Sequence, residues 1–276
     1  MQRRRQVVLI TGASSGIGRA CAERFEREGH GVYGTSRDFE RLPPPSGDWH
    51  PLRMDVTDDA SVRQAVAELL RLEGRVDVVI SNAGFGVAGA VEDTAIAEAM
   101  SQFDVNLFGA LRVIRAALPA MRNQRDGVII QIGSLAGRIA VPCQGLYSAS
   151  KHAVEALLET LRMEVRRFGV RVVLVEPGDL RTAFTENRVR VKASGEESPY
   201  ASACGRALNR AETDERSGGS AEAVARLVLR VSALRSPRLR YTAGPGLQRF
   251  AVWLRKLLPD RVFEALLVRY YGGLGR

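Results

Sequence analysis

Six short strand-like runs recur at 7–10, 31–35, 49–54, 76–81, 128–132 and 170–175. No other feature restricts the fold so tightly. Val7-Val8-Leu9-Ile10 carries no polar alternation, as expected of a strand buried on both faces of a parallel sheet. Amphipathic helical patterns follow most runs: 19–28, 61–72, a long stretch carrying 103–109 and ending near 121, and one through Tyr147 to about 168. Only a short helical turn fits 38–42. This alternation predicts an α/β fold: a doubly wound parallel sheet with helices on both faces. A helix at 221–234 and a short strand at 238–241 complete it. With 276 residues, 45% apolar and 26% charged, one nucleotide-binding domain over 1–276 with a sizeable core is expected.

The remaining segments decorate that frame. Pro43-Pro44-Pro45-Ser46-Gly47 reads as a surface loop and not a linker, because a strand resumes at once. Residues 179–219 are polar and less regular; a stretch of that length is a substrate lid or is disordered. Residues 246–276 form a helical extension, with amphipathic helices near 247–258 and 261–271 around Pro259. Their apolar faces (Trp253, Leu257, Leu258, Phe263, Leu266, Leu267) pack on the domain or on a subunit partner, or, given the flanking Arg, touch a membrane peripherally.

In such a sheet, ligands bind beyond the carboxyl ends of the strands. The first strand runs into Thr11-Gly12-Ala13-Ser14-Ser15-Gly16-Ile17-Gly18. Glycines at 12, 16 and 18 allow close backbone approach to a pyrophosphate, and the following helix N-terminus offers N–H donors. The second strand ends at Ser36-Arg37, where a carboxylate would hold an adenosine ribose. A guanidinium there can instead clamp a 2′-phosphate. NADP(H) is preferred on that ground; the alternative is NAD(H), with Asp38 on the ribose. Asp55, Asn82, Ser134 and Pro177 also follow strands directly and converge on the same edge.

Tyr147-Ser148-Ala149-Ser150-Lys151 adds acid–base chemistry. Residues four apart share a helix face, so phenol and ammonium can enter one site. A cation beside a phenol favours the phenolate and is expected to draw the tyrosine pKa down from about 10. Ser134 lies thirteen positions upstream, just after a strand.

Thr-Gly-x-x-x-Gly-x-Gly at 11–18, Asn-Ala-Gly at 82–84, Asn106, Ser134, Tyr-x-x-x-Lys at 147–151 and Pro-Gly at 177–178 together resemble the short-chain dehydrogenase/reductase family, over residues 7 to about 241. Ser81 departs from the common Asn before Asn-Ala-Gly. The resemblance implies a Rossmann-type fold and a reaction between a carbonyl and an alcohol. In it Tyr147 exchanges the proton, Ser134 holds the substrate oxygen, Lys151 lowers the tyrosine pKa and binds the nicotinamide ribose, and Asn106 holds a water connecting Lys151 to solvent. It also implies that Ser14, Ser15 and Ile17 belong to the phosphate turn, that Asp55 and Val56 meet the adenine, and that Ala83, Gly84, Pro177, Gly178, Leu180 and Thr182 lie along the nucleotide. The long lid and tail resemble the 17β-hydroxysteroid and retinol dehydrogenase branch, with bulky lipophilic substrates. Phe85, Val87, Leu135, Pro142, Cys143, Leu146 and Phe184 are the expected pocket walls. Helices near 103–121 and 147–168 resemble those that build homodimers and homotetramers in the family. A 3-oxoacyl thioester reductase and a non-catalytic NADP-binding protein are the competing readings.

Other classes are set aside. The net charge of +9 suggests nucleic acid, yet only Lys151, Lys192 and Lys256 among 40 basic residues are lysines, and the arginines are spread out with no aromatic-interleaved tract. No apolar stretch approaches the ~20 residues of a membrane span, and Arg3-Arg4-Arg5 precedes too short an apolar run for a signal peptide. Cys21, Cys143 and Cys204 are odd in number and not grouped with His. They read as free thiols in a reducing, cytoplasmic compartment, with no metal site.

Overall fold

Strand β1 (Val7–Thr11) is buried at every position. Val7 and Leu9 enter the core on one side of the sheet, and Val8 and Ile10 enter the core on the other. A strand so placed gains burial on both faces, about 1.5–3 kcal/mol per large apolar side chain, which is why it tolerates no polar alternation. The computed structural model describes residues 4–42, 44 and 48–273. Most of the expected 43–47 loop, and Arg3, lie outside the described residues.

After β1 come α1 (Gly16–Arg27), β2 (Gly31–Ser36), β3 (Trp49–Arg53), α2 (Asp59–Glu73), β4 (Val78–Ser81) and the two-residue β5 (Val87–Ala88). Then follow α3 (Ile96–Phe103), a π-helical turn (Asp104–Gly109), α4 (Ala110–Gln124), β6 (Gly127–Ile132), α5 (Gly145–Val165) and β7 (Val170–Pro177). The last part holds β8 (Leu180–Arg181), β9 (Val189–Arg190), α6 (Ala201–Arg216), β10 (Gly219–Ser220), α7 (Ala221–Ser232), β11 (Arg240–Ala243), α8 (Gly246–Leu254) and α9 (Asp260–Tyr270). Seven strands form a parallel sheet in the order β11-β7-β6-β4-β1-β2-β3. Helices α2, α4 and α5 cover one face, α1 and α7 the other. The order reverses between β1 and β4, so the crevice at their carboxyl ends is where a ligand fits.

Two expectations change. The long helix through 103–109 is broken by the π-helical turn, a widening that often marks a functional position, and Asn106 in it is buried. The segment 179–219 is only partly irregular: turns and loop dominate 182–200, and a helix follows. It contains α6, whose inward stripe of Cys204, Ala207, Leu208 and Ala211 has helical spacing that the surrounding Arg and Glu hide in the sequence. Short parallel pairings, β8 with β10 and β9 with β5, tie this segment to the rest of the fold.

Candidate active site

A cleft of about 930 Å³ opens at the carboxyl ends of the strands. Its first end is built from backbone. Gly12 and Gly16 adopt φ of +66° and +56°, a region open to glycine at little cost. A Cβ on Gly12 would come within 3.1 Å of the Ala83 Cα. Thr11, which the motif includes but to which the sequence assigned no role, ties the two turns together: its Oγ1 accepts from the Asn82 and Ala83 amides at 2.9 and 3.0 Å. The Asn82 amide returns hydrogen bonds to the Thr11 and Gly12 carbonyls. Ser15 caps α1 without a side-chain hydrogen bond, and no acidic residue sits in the first turn. The first N–H groups and the positive end of the helix dipole are therefore available to an anion. These features fit a dinucleotide pyrophosphate.

Gly18 is the exception in this turn. It does not face the cleft; a Cβ there would strike the Gly12 carbonyl at 2.2 Å, so its smallness lets helix α1 sit against the turn. Ser14, Ser15, Ile17, Arg37, Asp55, Val56, Ala83 and Gly84 all line the cleft, as do Pro177, Gly178, Leu180 and Thr182. Arg41 joins Arg37 there, and Asp38, the nearby carboxylate, lies 3.8 Å from Arg41. Burial pushes the Asp55 carboxyl up, but hydrogen bonds from Thr57 and the charges of Arg37 and Arg112 outweigh it and hold the group below its ordinary value.

At the centre, Tyr147 and Lys151 lie one turn apart on α5, both buried, and Ser134 lines the same cleft. Ser134 Oγ also accepts from the Ala136 amide at 3.0 Å, which fixes its side chain. The Lys151 ammonium donates to the Ile132 carbonyl at 3.2 Å and stands 5.7 Å from the centre of the Tyr147 ring. The expected drop in the tyrosine pKa is absent. Burial pushes Tyr147 up to about 12, with Ser134 pulling the other way. Burial also brings Lys151 down to about 8, against the nearby Glu155 charge. Desolvation disfavours the charged form of both groups, and it is the largest influence on each.

Asn106 does not reach the cleft surface. Its Oδ1 accepts from the Phe85 amide at 3.1 Å, and its Nδ2 donates to the Phe85 carbonyl and to Ser150 Oγ, both at 3.0 Å. Ser150 in turn donates to the Tyr147 carbonyl at 2.7 Å. Gln102, one turn earlier and also missed, holds the Val87 amide and the Phe85 carbonyl. The pair of buried amides at i, i+4 was the available signal.

Of the expected pocket walls, Phe85, Leu135 and Phe184 line the cleft, whereas Val87, Pro142, Cys143 and Leu146 do not. Val87 is buried in β5, and its amide is taken by Gln102. Cys143 is joined by a disulfide to Cys204 on α6. The reading of three free thiols is thereby corrected; only Cys21, buried, is a free thiol, and the compartment argument loses its premise. Phe184 tilts against Tyr147 with ring centres 5.4 Å apart, in space kept open by Gly86, where a Cβ would meet Phe184 at 2.9 Å. The far wall comes from the tail: Leu254 of α8, with Phe263, Leu266 and Leu267 of α9.

The model of the short chain dehydrogenase family matches residues 6–192. The chain belongs to that family and is an NAD(P)-dependent oxidoreductase acting on CH–OH groups. It is 40% identical to a 3-ketodihydrosphingosine reductase of Bacteroides thetaiotaomicron, over 96% of this chain and 98% of the other. Among solved structures, a short-chain dehydrogenase from Streptomyces avermitilis superposes with a TM-score of 0.82 at 33% identity, covering 96% of each chain. A short-chain dehydrogenase/reductase from Burkholderia phymatum in complex with NAD does so at 0.79 and 28%, again over 96% of each. No helix among the described residues is long and apolar enough to cross a membrane.

Proposed function

We propose that the protein reduces a ketone carried on a long lipophilic chain, using NADPH, with Tyr147 as proton donor. The single observation that carries this is the gathering of Ser134 with buried Tyr147 and Lys151 in one cleft whose far wall is apolar. The name of the Bacteroides relative, a reductase of a long-chain keto base, supports the same substrate class. Arg37 and Arg41 at the first end supply the charge for a 2′-phosphate, and the facing carboxylate Asp38 is engaged by Arg41.

The nicotinamide, when bound, supplies the hydride. Ser134 orients the carbonyl oxygen toward the phenol, and Tyr147, held neutral by burial, gives up its proton as charge grows on that oxygen. The Lys151 ammonium stabilises the phenolate left behind, and by resemblance it holds the ribose. Asn106 fixes Phe85 and Ser150 behind this pair; the relayed water belongs to the same proposal. A homodimer or homotetramer is proposed as well, supported by exposed Met100, Phe108 and Met163 on the outer faces of α3, the π-turn and α5.

The test is NADPH oxidation over ketones of increasing chain length, keto bases and 3-oxoacyl thioesters. Tyr147→Phe should lower kcat by roughly 10²–10⁴-fold with NADPH affinity unchanged. Undiminished turnover in that variant, or activity on 3-oxoacyl thioesters alone, sinks the proposal.

A further inference from the structure

Among the described residues, exposed large apolar side chains concentrate on α8, α9 and the turn between them. Seventeen large apolar residues are exposed among the described residues, and seven of them fall between 247 and 270. Leu247 is 69% exposed, Trp253 54% and Leu257 59%, with the Phe250 ring tilted against Trp253 at 5.5 Å between centres. An apolar patch of this kind marks a contact surface.

Charge indicates what covers it. Arg249, Arg255, Lys256, Arg261 and Arg269 are exposed along α8, the turn after it and α9, against only Glu264 and Asp260, the latter engaged by Arg255. A second copy would bring the same positive face, and a net charge of +9, toward its like. An anionic lipid surface complements both properties: arginines for the headgroups, and Trp253, whose ring is at home at the boundary between water and lipid. The opposite faces of these helices, through Ala251, Leu254 and Phe263, line the cleft. Leu247 and Leu266 belong to both surfaces, so apolar contact runs unbroken from the outer face into the cleft.

We infer that α8 and α9 dock the protein flat on an anionic bilayer, with the mouth of the cleft at the lipid boundary. The docking does not depend on the activity proposed above; only its use, to admit an apolar substrate without passage through water, does. The full chain should float with vesicles of phosphatidylcholine and phosphatidylglycerol. Binding should fall about tenfold or more on phosphatidylcholine alone or in high salt. Phe250→Glu/Trp253→Glu should weaken binding to the anionic vesicles by at least about tenfold, while turnover of a short, water-soluble ketone stays unchanged, because neither residue lines the cleft. Equal binding by the variant, or no binding by the wild type, overturns the inference. So does a self-association that the double substitution abolishes in a protein that ignores vesicles, for the face would then belong to a second copy. Vesicle binding is read without substrate, so an inactive protein that still binds would count against the proposed activity and not against docking.

Discussion

The two ends of the cleft are built by different means. At the nucleotide end, main chain does the shaping: Thr11 and Asn82 lock two strand-end turns through backbone amides and carbonyls, and Gly18 lets a helix close on the carbonyl of Gly12. At the substrate end, side chains from separate segments are clasped together. Cys143 and Cys204 join across 61 residues, Gln248 grips Asp179 across 69, and Thr185 and Arg188 both hold Glu215 on α6. A backbone turn accepts few substitutions, whereas a set of clasps can be rearranged for a new substrate without disturbing the sheet. The nucleotide end should therefore fail locally and chemically, and the substrate end should fail by loosening.

The largest loosening is expected from the disulfide. Cys204→Ser removes a cross-link that closes a 61-residue loop, and should lower stability by about 2–4 kcal/mol. Thermal melts with and without a dithiol reductant check this: reduction should lower the wild-type midpoint toward that of the variant. NADPH affinity should hold, since neither cysteine lines the cleft. A parallel loss of NADPH binding would mean that the two ends are not separable.

Next comes a change confined to the other end. Arg37→Ala should weaken NADPH binding about 10–100-fold, the worth of one or two charge-assisted hydrogen bonds. NADH binding and the melting midpoint should stay put, because the side chain is exposed and sits at the tip of β2. Fluorescence titration with both dinucleotides decides it. Equal weakening for the two would return the ribose to Asp38.

The same division explains what could be read from the sequence. The strand runs, the glycine turn and the Tyr147–Lys151 pair were legible because each is a local pattern with its own physical rule. The parallel order, the crevice and the gathering of Asp55, Asn82 and Ser134 then followed from topology. Four pocket residues were misplaced because walls made by distant segments leave no local pattern. Val87 looks like any apolar residue until β9 pairs with it, and Cys143 looks free until α6 brings Cys204 beside it. The tail was recognised as amphipathic, but which of its faces met the cleft depended on the packing of α8 and α9. The pKa of Tyr147 failed for a different reason: spacing reveals a neighbouring charge, but not how much water the fold removes.

The smallest effect is expected where the two ends meet. Asp179 follows Pro177 and Gly178 of the nucleotide end and is clasped by Gln248 of α8. Burial, then the Glu215 charge, push its carboxyl up from an ordinary 3.8 to about 6, although the Gln248 hydrogen bond pulls the other way. A folded-state value above the unfolded one means that the fold prefers the protonated acid. The stability so contributed is full below about 4 and is lost as the pH rises through 6. At pH 8 the fold therefore carries a disfavoured charge, and Asp179→Asn, which still accepts from Gln248, removes it. The variant should be more stable than the wild type by about 1–2 kcal/mol at pH 8 and no more stable at pH 4. Melting midpoints across that range check the sign. A gain that persists at pH 4, or none at pH 8, would show that the clasp is set by packing and not by charge, and that the junction is as rigid as the turn it follows.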